Sequence, residues 1–215
     1  MKSLDVYIES ATSTRDKLLY SGIQLFSVKG YSNVGIRNLC SSVGIKESSF
    51  YNHFKSKEAL FISIMTLLTA SGDTVIYTDS EIDMIIASKD IEWFMLENLH
   101  KIQNIFSNPL FMAGMRLVIM ESYINPIAYE LSENNNYNEV AEVTVRILKM
   151  YMDKGSVIRC DVDQVVHSYY NGLNSLNETY LLNDTWGKEQ SGILMEMEAY
   201  TRMYIDLLMG RIGHE

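Results

Sequence analysis

The sequence predicts an all-α protein with an N-terminal three-helix helix-turn-helix domain and a larger C-terminal helical domain. Three observations predict it. The chain of 215 residues holds only two prolines, Pro109 and Pro126. Long stretches repeat apolar residues at helical spacing rather than alternating as strands do. Near the N-terminus, two short helical stretches flank Val43-Gly44-Ile45, and a turn of three or four residues carrying Gly is what joins helices that meet at a steep angle.

Taken in order, residues 1–13 are short and polar and read as a mobile N-terminal arm. A helix opens near Thr14, which can cap it. It carries Leu18, Ile23, Leu25 and Phe26 on one stripe and stops at Gly30 as a C′ residue. The two short helices around Gly44 follow, with Leu39, Val43, Ile45 and Phe50 as their small core. The second of them spans about Lys46 to Phe54. Ser56 reads as the N-cap of a longer helix, which completes the helix-turn-helix domain over 14–60 and continues to about residue 72 as a connector. The rest, 73–215, reads as one larger helical domain.

Within that second part, Asn108-Pro109 and Asn125-Pro126 each pair an Asn N-cap with proline at the first helical position, where its missing N–H is harmless. Both prolines therefore mark helix starts. The second helix runs from Pro126 to about Asp153, closed by Lys154-Gly155, unless Asn134-Asn135-Asn136 breaks it. Asp161 with Gln164 opens a helix that sets Val162, Val165, Val166, Tyr169, Leu173, Leu176 and Tyr180 on one face. A last helix, about 188–211, carries Ile193, Leu194, Met197, Tyr200, Tyr204, Leu207 and Leu208.

Composition narrows the function classes. No apolar run approaches the roughly 20 residues that span a bilayer, and the N-terminus lacks the apolar core of a signal peptide. Cys40 and Cys160 are far apart and make no disulfide framework. A cytoplasmic protein with no membrane role is the expectation. The net charge of −9 disfavours nucleic acid if taken alone, but it is unevenly spread. Residues 1–60 hold eight Lys and Arg against five Asp and Glu, whereas 61–215 hold ten against twenty-two. A mildly basic head on an acidic body confines phosphate contact to the head.

Motifs of other chemistries are missing. His100 and His167 have no partner at metal-ligand spacing, and no phosphate loop or nucleophile motif occurs. No cofactor and no enzymatic activity are expected. Cys160 follows Arg159, which would favour a thiolate, but Asp161 offsets it; Cys40 reads as a small core residue.

The stretch from Thr14 to Leu60 resembles the DNA-binding domain of tetracycline-repressor (TetR) family regulators. The resemblance rests on Phe26-x-x-Lys29-Gly30-Tyr31, Ile36-Arg37-Asn38-Leu39, Val43-Gly44-Ile45 and Phe50-Tyr51-x-His53-Phe54-x-Ser56-Lys57-Glu58-Ala59-Leu60. The C-terminal part matches only in architecture and a loose turn at Gly155 and Asp161-Val162-Asp163. By position, the resemblance implies that Arg37, Ser49, Tyr51, His53 and Lys57 hold phosphates, with the N–H groups that open the helix at Ser56. It leaves Lys46, Glu47, Ser48 and Asn52 to read bases, Asn suiting adenine and Glu suiting cytosine N4. Three departures stand out. Gly35 replaces the usual Ser or Thr cap, Lys46 and Glu47 stand where Ser and Lys are usual, and Cys40 replaces a small residue.

The resemblance also implies a small-molecule cavity and a homodimer. Candidates for the cavity are Trp93, Phe94, Glu97, Phe111, Met112, Met115, Arg116, Ile119, Tyr123 and Tyr170, an aromatic and Met-rich set that could equally be core. Candidates for the dimer face are Val162, Val166, Tyr169, Leu173, Leu176, Tyr180, Met197, Tyr200, Tyr204 and Leu208, two apolar stripes that would make a four-helix interface unless they pack internally. The function implied is a repressor that binds double-stranded DNA at a palindromic operator and is released by an unidentified small molecule. The alternatives are a DNA-associated protein acting through a protein partner, and a helical carrier or enzyme.

Overall fold

The computed structural model describes residues 4–70, 77–133 and 137–212, and all regular elements among them are helices. In chain order these are α1 Asp5–Ser10, α2 Thr14–Lys29, α3 Ile36–Ser42, α4 Glu47–Phe50, α5 Lys57–Ala70, α6 Asp79–Ser88, α7 Ile91–Ile105, α8 Pro109–Ser122, α9 Pro126–Glu133, α10 Tyr137–Asp153, α11 Val162–Thr185 and α12 Ser191–Leu208. The chain forms two compact units. One gathers 2–72 with 106–135, and the other gathers 73–105 with 136–215. The expected division near residue 73 is therefore incomplete: α8 and α9 belong with the N-terminal helices.

In the first unit, local chemistry starts and stops each helix. Ser13, not Thr14, caps α2, its Oγ accepting the Asp16 N–H at 3.0 Å. Gly30 ends α2 at φ 77°, and its N–H reaches the Phe26 carbonyl at 2.8 Å. Only glycine enters that left-handed region without penalty. Asn108 caps α8 through the Leu110 and Phe111 N–H groups, and the Asn125 Oδ1 takes the Ile127 N–H at 3.0 Å. Both prolines start helices as expected. The core is one apolar cluster in which Ile23, Phe26, Leu39, Phe50, Leu60 and Ile64 have essentially no exposure, and Leu117 of α8 and Ala128 of α9 join it.

The N-terminus departs from expectation. Residues 5–10 form a helix, and Leu4 before it is buried. Tyr7 lays its ring 5.6 Å from that of Tyr20 on α2 and donates its hydroxyl to Asn108 Oδ1 at 3.2 Å. One leucine and one tyrosine tie down a segment whose polarity suggested a free arm.

In the second unit, Thr78 and Glu81 form a capping box for α6. The Lys154 ammonium donates to the Ile86 carbonyl, and the Tyr151 hydroxyl to the Lys89 carbonyl at 3.0 Å, so the end of α10 satisfies the end of α6. Asp161 caps α11 through the Gln164 N–H at 3.1 Å, as its spacing suggested. Pro126–Glu133 and Tyr137–Asp153 are separate elements in separate units; Asn134-Asn135-Asn136 lies outside the described residues, as does the end of the predicted connector beyond residue 70.

A hydroxyl seam joins α11 to its neighbours. Tyr169 Oη and Thr201 Oγ1 are 2.9 Å apart, Tyr170 Oη and Thr144 Oγ1 2.8 Å, and Tyr200 donates to the Ser168 carbonyl at 3.1 Å. The expected dimer stripe runs along this seam. Val162, Val166, Tyr169, Leu173, Tyr180, Met197, Tyr204 and Leu208 are buried inside a single chain, and Leu176 and Tyr200 are half-buried. Those side chains face one another's helices, so they have little surface left to give a partner. The apolar residues that α11, its C-terminal end and α12 do expose are Leu182, Trp186, Met195 and Met203.

Burial raises the Tyr151 phenol to about 12, with the Asp90 charge adding to the effect. The fold thus favours the neutral phenol. That contribution is complete below the ordinary value of 10.0 and is lost as pH climbs through the folded value. We expect wild type to lose on the order of 2 kcal/mol more than Tyr151→Phe between about pH 9 and pH 12. Urea unfolding of both at the two pH values checks this, and equal losses would remove Tyr151 as the cause.

Candidate nucleic-acid interface

The interface is built on the turn between α3 and α4. Gly44 sits there at φ 71°, with open space around it. Before it, Leu39 and Cys40 are buried, and Ser21 of α2 pairs with Ser42 at the end of α3. Gly35 forms half a capping box: its N–H donates to Asn38 Oδ1 at 3.0 Å. A side-chain acceptor from within the helix thus takes the N-cap N–H, although no Ser or Thr side chain caps the helix.

The recognition segment is shorter than its sequence suggested. The α-helix covers only Glu47–Phe50, and Lys46 offers it no side-chain cap. The chain then tightens: the Asn52 N–H reaches the Ser49 carbonyl at 3.2 Å and the His53 N–H reaches that of Phe50 at 2.9 Å. Phe50 is fully buried and Phe54 nearly so, their rings 6.0 Å apart. These two rings turn the other side of the segment outward. Arg37, Lys46, Glu47, Ser48, Tyr51 and Asn52 are exposed, while Ser49 and His53 are half-buried. The predicted side chains from Lys46 to His53 thus lie on one short stretch with Lys55 exposed beside them, whereas Arg37 sits on α3 and Lys57 on α5. Lys55 falls between the residues that carry the resemblance and so was missed; its charge next to the Ser56 cap was the available signal.

Lys57 is different. Its ammonium donates to the Tyr31 carbonyl at 2.9 Å and the Val34 carbonyl at 3.0 Å, and lies 4.0 Å over the Tyr31 ring. Two of its three N–H donors hold the α2–α3 loop, which leaves one for the phosphate expected of it. Ser56 caps α5 as expected, taking the Ala59 N–H at 3.0 Å. Both thiols are pushed up, by burial first and by Glu47 near Cys40 or Asp161 near Cys160 second. A raised thiol holds less thiolate, the opposite of what redox sensing needs.

The predicted ligand residues divide between the two units. On α8, Met112 and Arg116 are buried, Phe111, Met115 and Ile119 are half-buried, and Tyr123 just beyond it is 87% exposed. Tyr123 therefore caps the helix from outside. In the other unit, Trp93 is partly exposed beneath the Lys89 ammonium, Glu97 is half-buried, and Phe94 is fully buried with its ring 6.0 Å from Tyr77. Tyr170 is buried and its hydroxyl is engaged by Thr144. Phe94 and Tyr170 are thus core side chains, since each is already packed or paired where it stands.

Comparison with known proteins follows the same division. A family model described as bacterial regulatory proteins, tetR family, matches residues 18–64. Over 49 residues the chain is 41% identical to the HTH-type transcriptional regulator YerO of Bacillus subtilis (strain 168), covering 23% of this chain and 17% of that one. Over 47 residues it is 40% identical to IcaR, the HTH-type negative transcriptional regulator of the biofilm operon icaADBC in Staphylococcus aureus (strain Newman), covering 22% and 25%. The chain thus matches a quarter or less of the length of these curated relatives. In fold the likeness extends much further. A tetR-family regulator from Mesorhizobium loti MAFF303099 superposes with a TM-score of 0.61 at 12% identity, over 90% of this chain and 95% of that one. A transcriptional regulator from Saccharomonospora viridis, solved in complex with choline, gives 0.61 at 17% identity over 89% and 97%. Residues 18–64 thus carry the helix-turn-helix of the tetR family of bacterial regulatory proteins, on a chain that shares the fold of these solved regulators over most of its length.

Proposed function

We propose that this protein is a DNA-binding transcriptional regulator that acts as a homodimeric repressor at a palindromic operator and is released by a small molecule. The observation that carries the reading is the outward-facing segment Lys46–His53, held in place by two buried phenylalanines within the family's domain. Such a segment fits a major groove, with Lys46, Glu47 and Asn52 able to read base edges and Arg37 and Tyr51 able to meet phosphates. Repression is supported by the matched relative from Staphylococcus aureus, a negative regulator. A small-molecule ligand is supported by the choline held by the Saccharomonospora viridis regulator, a protein of this fold. Here Met112, Met115 and Arg116 on α8 are the residues we put forward to meet a ligand. Pairing of chains would use the exposed Leu182, Trp186, Met195 and Met203.

The test is selection of a duplex from a randomised pool by the purified chain, then titration at several salt concentrations. Arg37→Ala is expected to lower the salt slope by about one, and Asn52→Ala to cost about 1–3 kcal/mol while relaxing preference at one base position. Equal, weak binding to the selected and an unrelated duplex would sink the reading.

A further inference from the structure

Glu121 lies near the end of α8, 90 positions along the chain from the loop it touches. Its side chain is buried, at 3% exposure, where a carboxylate needs a compensating donor. That donor is a backbone group of the helix-turn-helix: the Tyr31 N–H reaches Glu121 Oε1 at 2.8 Å. Tyr31 follows Gly30, the left-handed residue that ends α2. Its carbonyl in turn accepts from Lys57 Nζ at 2.9 Å, and the same ammonium holds Val34. An acid and a base therefore grip the two sides of one residue, Glu121 on its N–H and Lys57 on its C=O. Charge-assisted bonds of this kind are about twice as strong as neutral ones. The remaining charged neighbour is Glu58, whose field, with that of Glu121 and after burial itself, raises the Tyr31 phenol.

The other end of α8 is tied as well, through the Tyr7 hydroxyl on Asn108, the residue that caps it. Between the two ties, Gly114 admits Leu68 of α5 so closely that an added Cβ would stand 2.4 Å from its Cδ2. The helix bearing Met112, Met115 and Arg116 is thus bolted to the reading head at both ends and in the middle.

We propose that Glu121 is a positioning residue for DNA recognition: from α8 it sets the α2–α3 loop, and through Tyr31 and Lys57 the start of α5 beside the recognition segment. This rests on the DNA-binding reading above. It makes α8 the element through which a change near Met112, Met115 or Arg116 would reach the head.

Three variants separate positioning from charge. Glu121→Gln keeps an acceptor oxygen at the same reach; Glu121→Asp keeps the charge but falls short; Glu121→Ala removes both. Each is measured for amide exchange at Tyr31 and at 46–53, for affinity to the duplex selected by wild type, and for salt slope. Positioning predicts that Gln stays near wild type, whereas Ala and Asp speed Tyr31 exchange and weaken selected-duplex binding by roughly tenfold. Their salt slope and their binding to an unrelated duplex stay unchanged, a pattern that a purely structural loss would not give. Should Glu121→Ala fail to fold, the order of Gln and Asp decides, because a role in charge alone would reverse it. Unchanged Tyr31 exchange in Asp and Ala, or unchanged selective affinity with faster exchange, overturns the proposal. If wild type selects no duplex, the functional reading fails instead, and amide exchange at Tyr31 and 46–53 still shows whether Glu121 sets the loop.

Discussion

Phe50→Ala is expected to lower the stability of the chain by about 3–5 kcal/mol and to abolish selective DNA binding with it. The ring has no exposure and packs 5.6 Å from Tyr51 and 6.0 Å from Phe54. It is the only fully buried side chain of α4, a helix of four residues, and one turn of helix has no stability of its own in water. The segment therefore keeps its shape because Phe50 plugs it into the head. Urea unfolding reads the stability and titration against the selected duplex reads the binding. A loss below about 1 kcal/mol, far under the range for a buried aromatic, or selectivity kept intact, would mean that the segment is held by something other than that ring.

Tyr169→Ala is expected to cost a similar amount, about 3–5 kcal/mol, and to do so by unfolding the chain rather than by separating two folded chains. Tyr169 is buried within one chain, its ring 5.1 Å from Tyr170, 5.3 Å from Tyr204 and stacked at 5.8 Å on Tyr200, with its hydroxyl on Thr201. Truncation removes the packing and leaves the Thr201 hydroxyl with one fewer partner. Sedimentation combined with circular dichroism tells the two cases apart. A folded monomer from Tyr169→Ala would restore this residue to a partner face. Trp186→Ala is the contrast: at 76% exposure it is expected to keep the fold, so any effect on assembly would be its own.

The helix-turn-helix was legible because its signals are local. Gly30 and Gly44 stand at the left-handed turns that their spacing implied. Asn108, Asn125, Ser56 and Asp161 cap the helices they precede. Each of these depends on groups two to four residues away, so neighbouring letters contain the whole interaction. The helix starting at Thr14 was placed correctly but its cap was not, since Ser13 and Thr14 are both competent and only the backbone at Ser13, with φ −113° and ψ 147°, is extended as a cap requires.

Other features needed the folded chain. An apolar stripe states that a helix face must leave water, not which surface will cover it. Tyr169, Leu173 and Met197 obey the stripe and are covered by helices of the same chain. Lys57 fits the family's pattern, yet its two carbonyl partners lie 26 and 23 residues back. What the sequence alone determined is the helical class, the starts of the helices that Ser56, Asn108, Asn125 and Asp161 cap, and the short segment after Gly44, all products of short-range capping and steric preference. Only the tertiary structure decided that α8 and α9 join the head, that Lys57 braces a loop and that Glu121 grips it. Those contacts join groups distant along the chain, and their partners are chosen by packing.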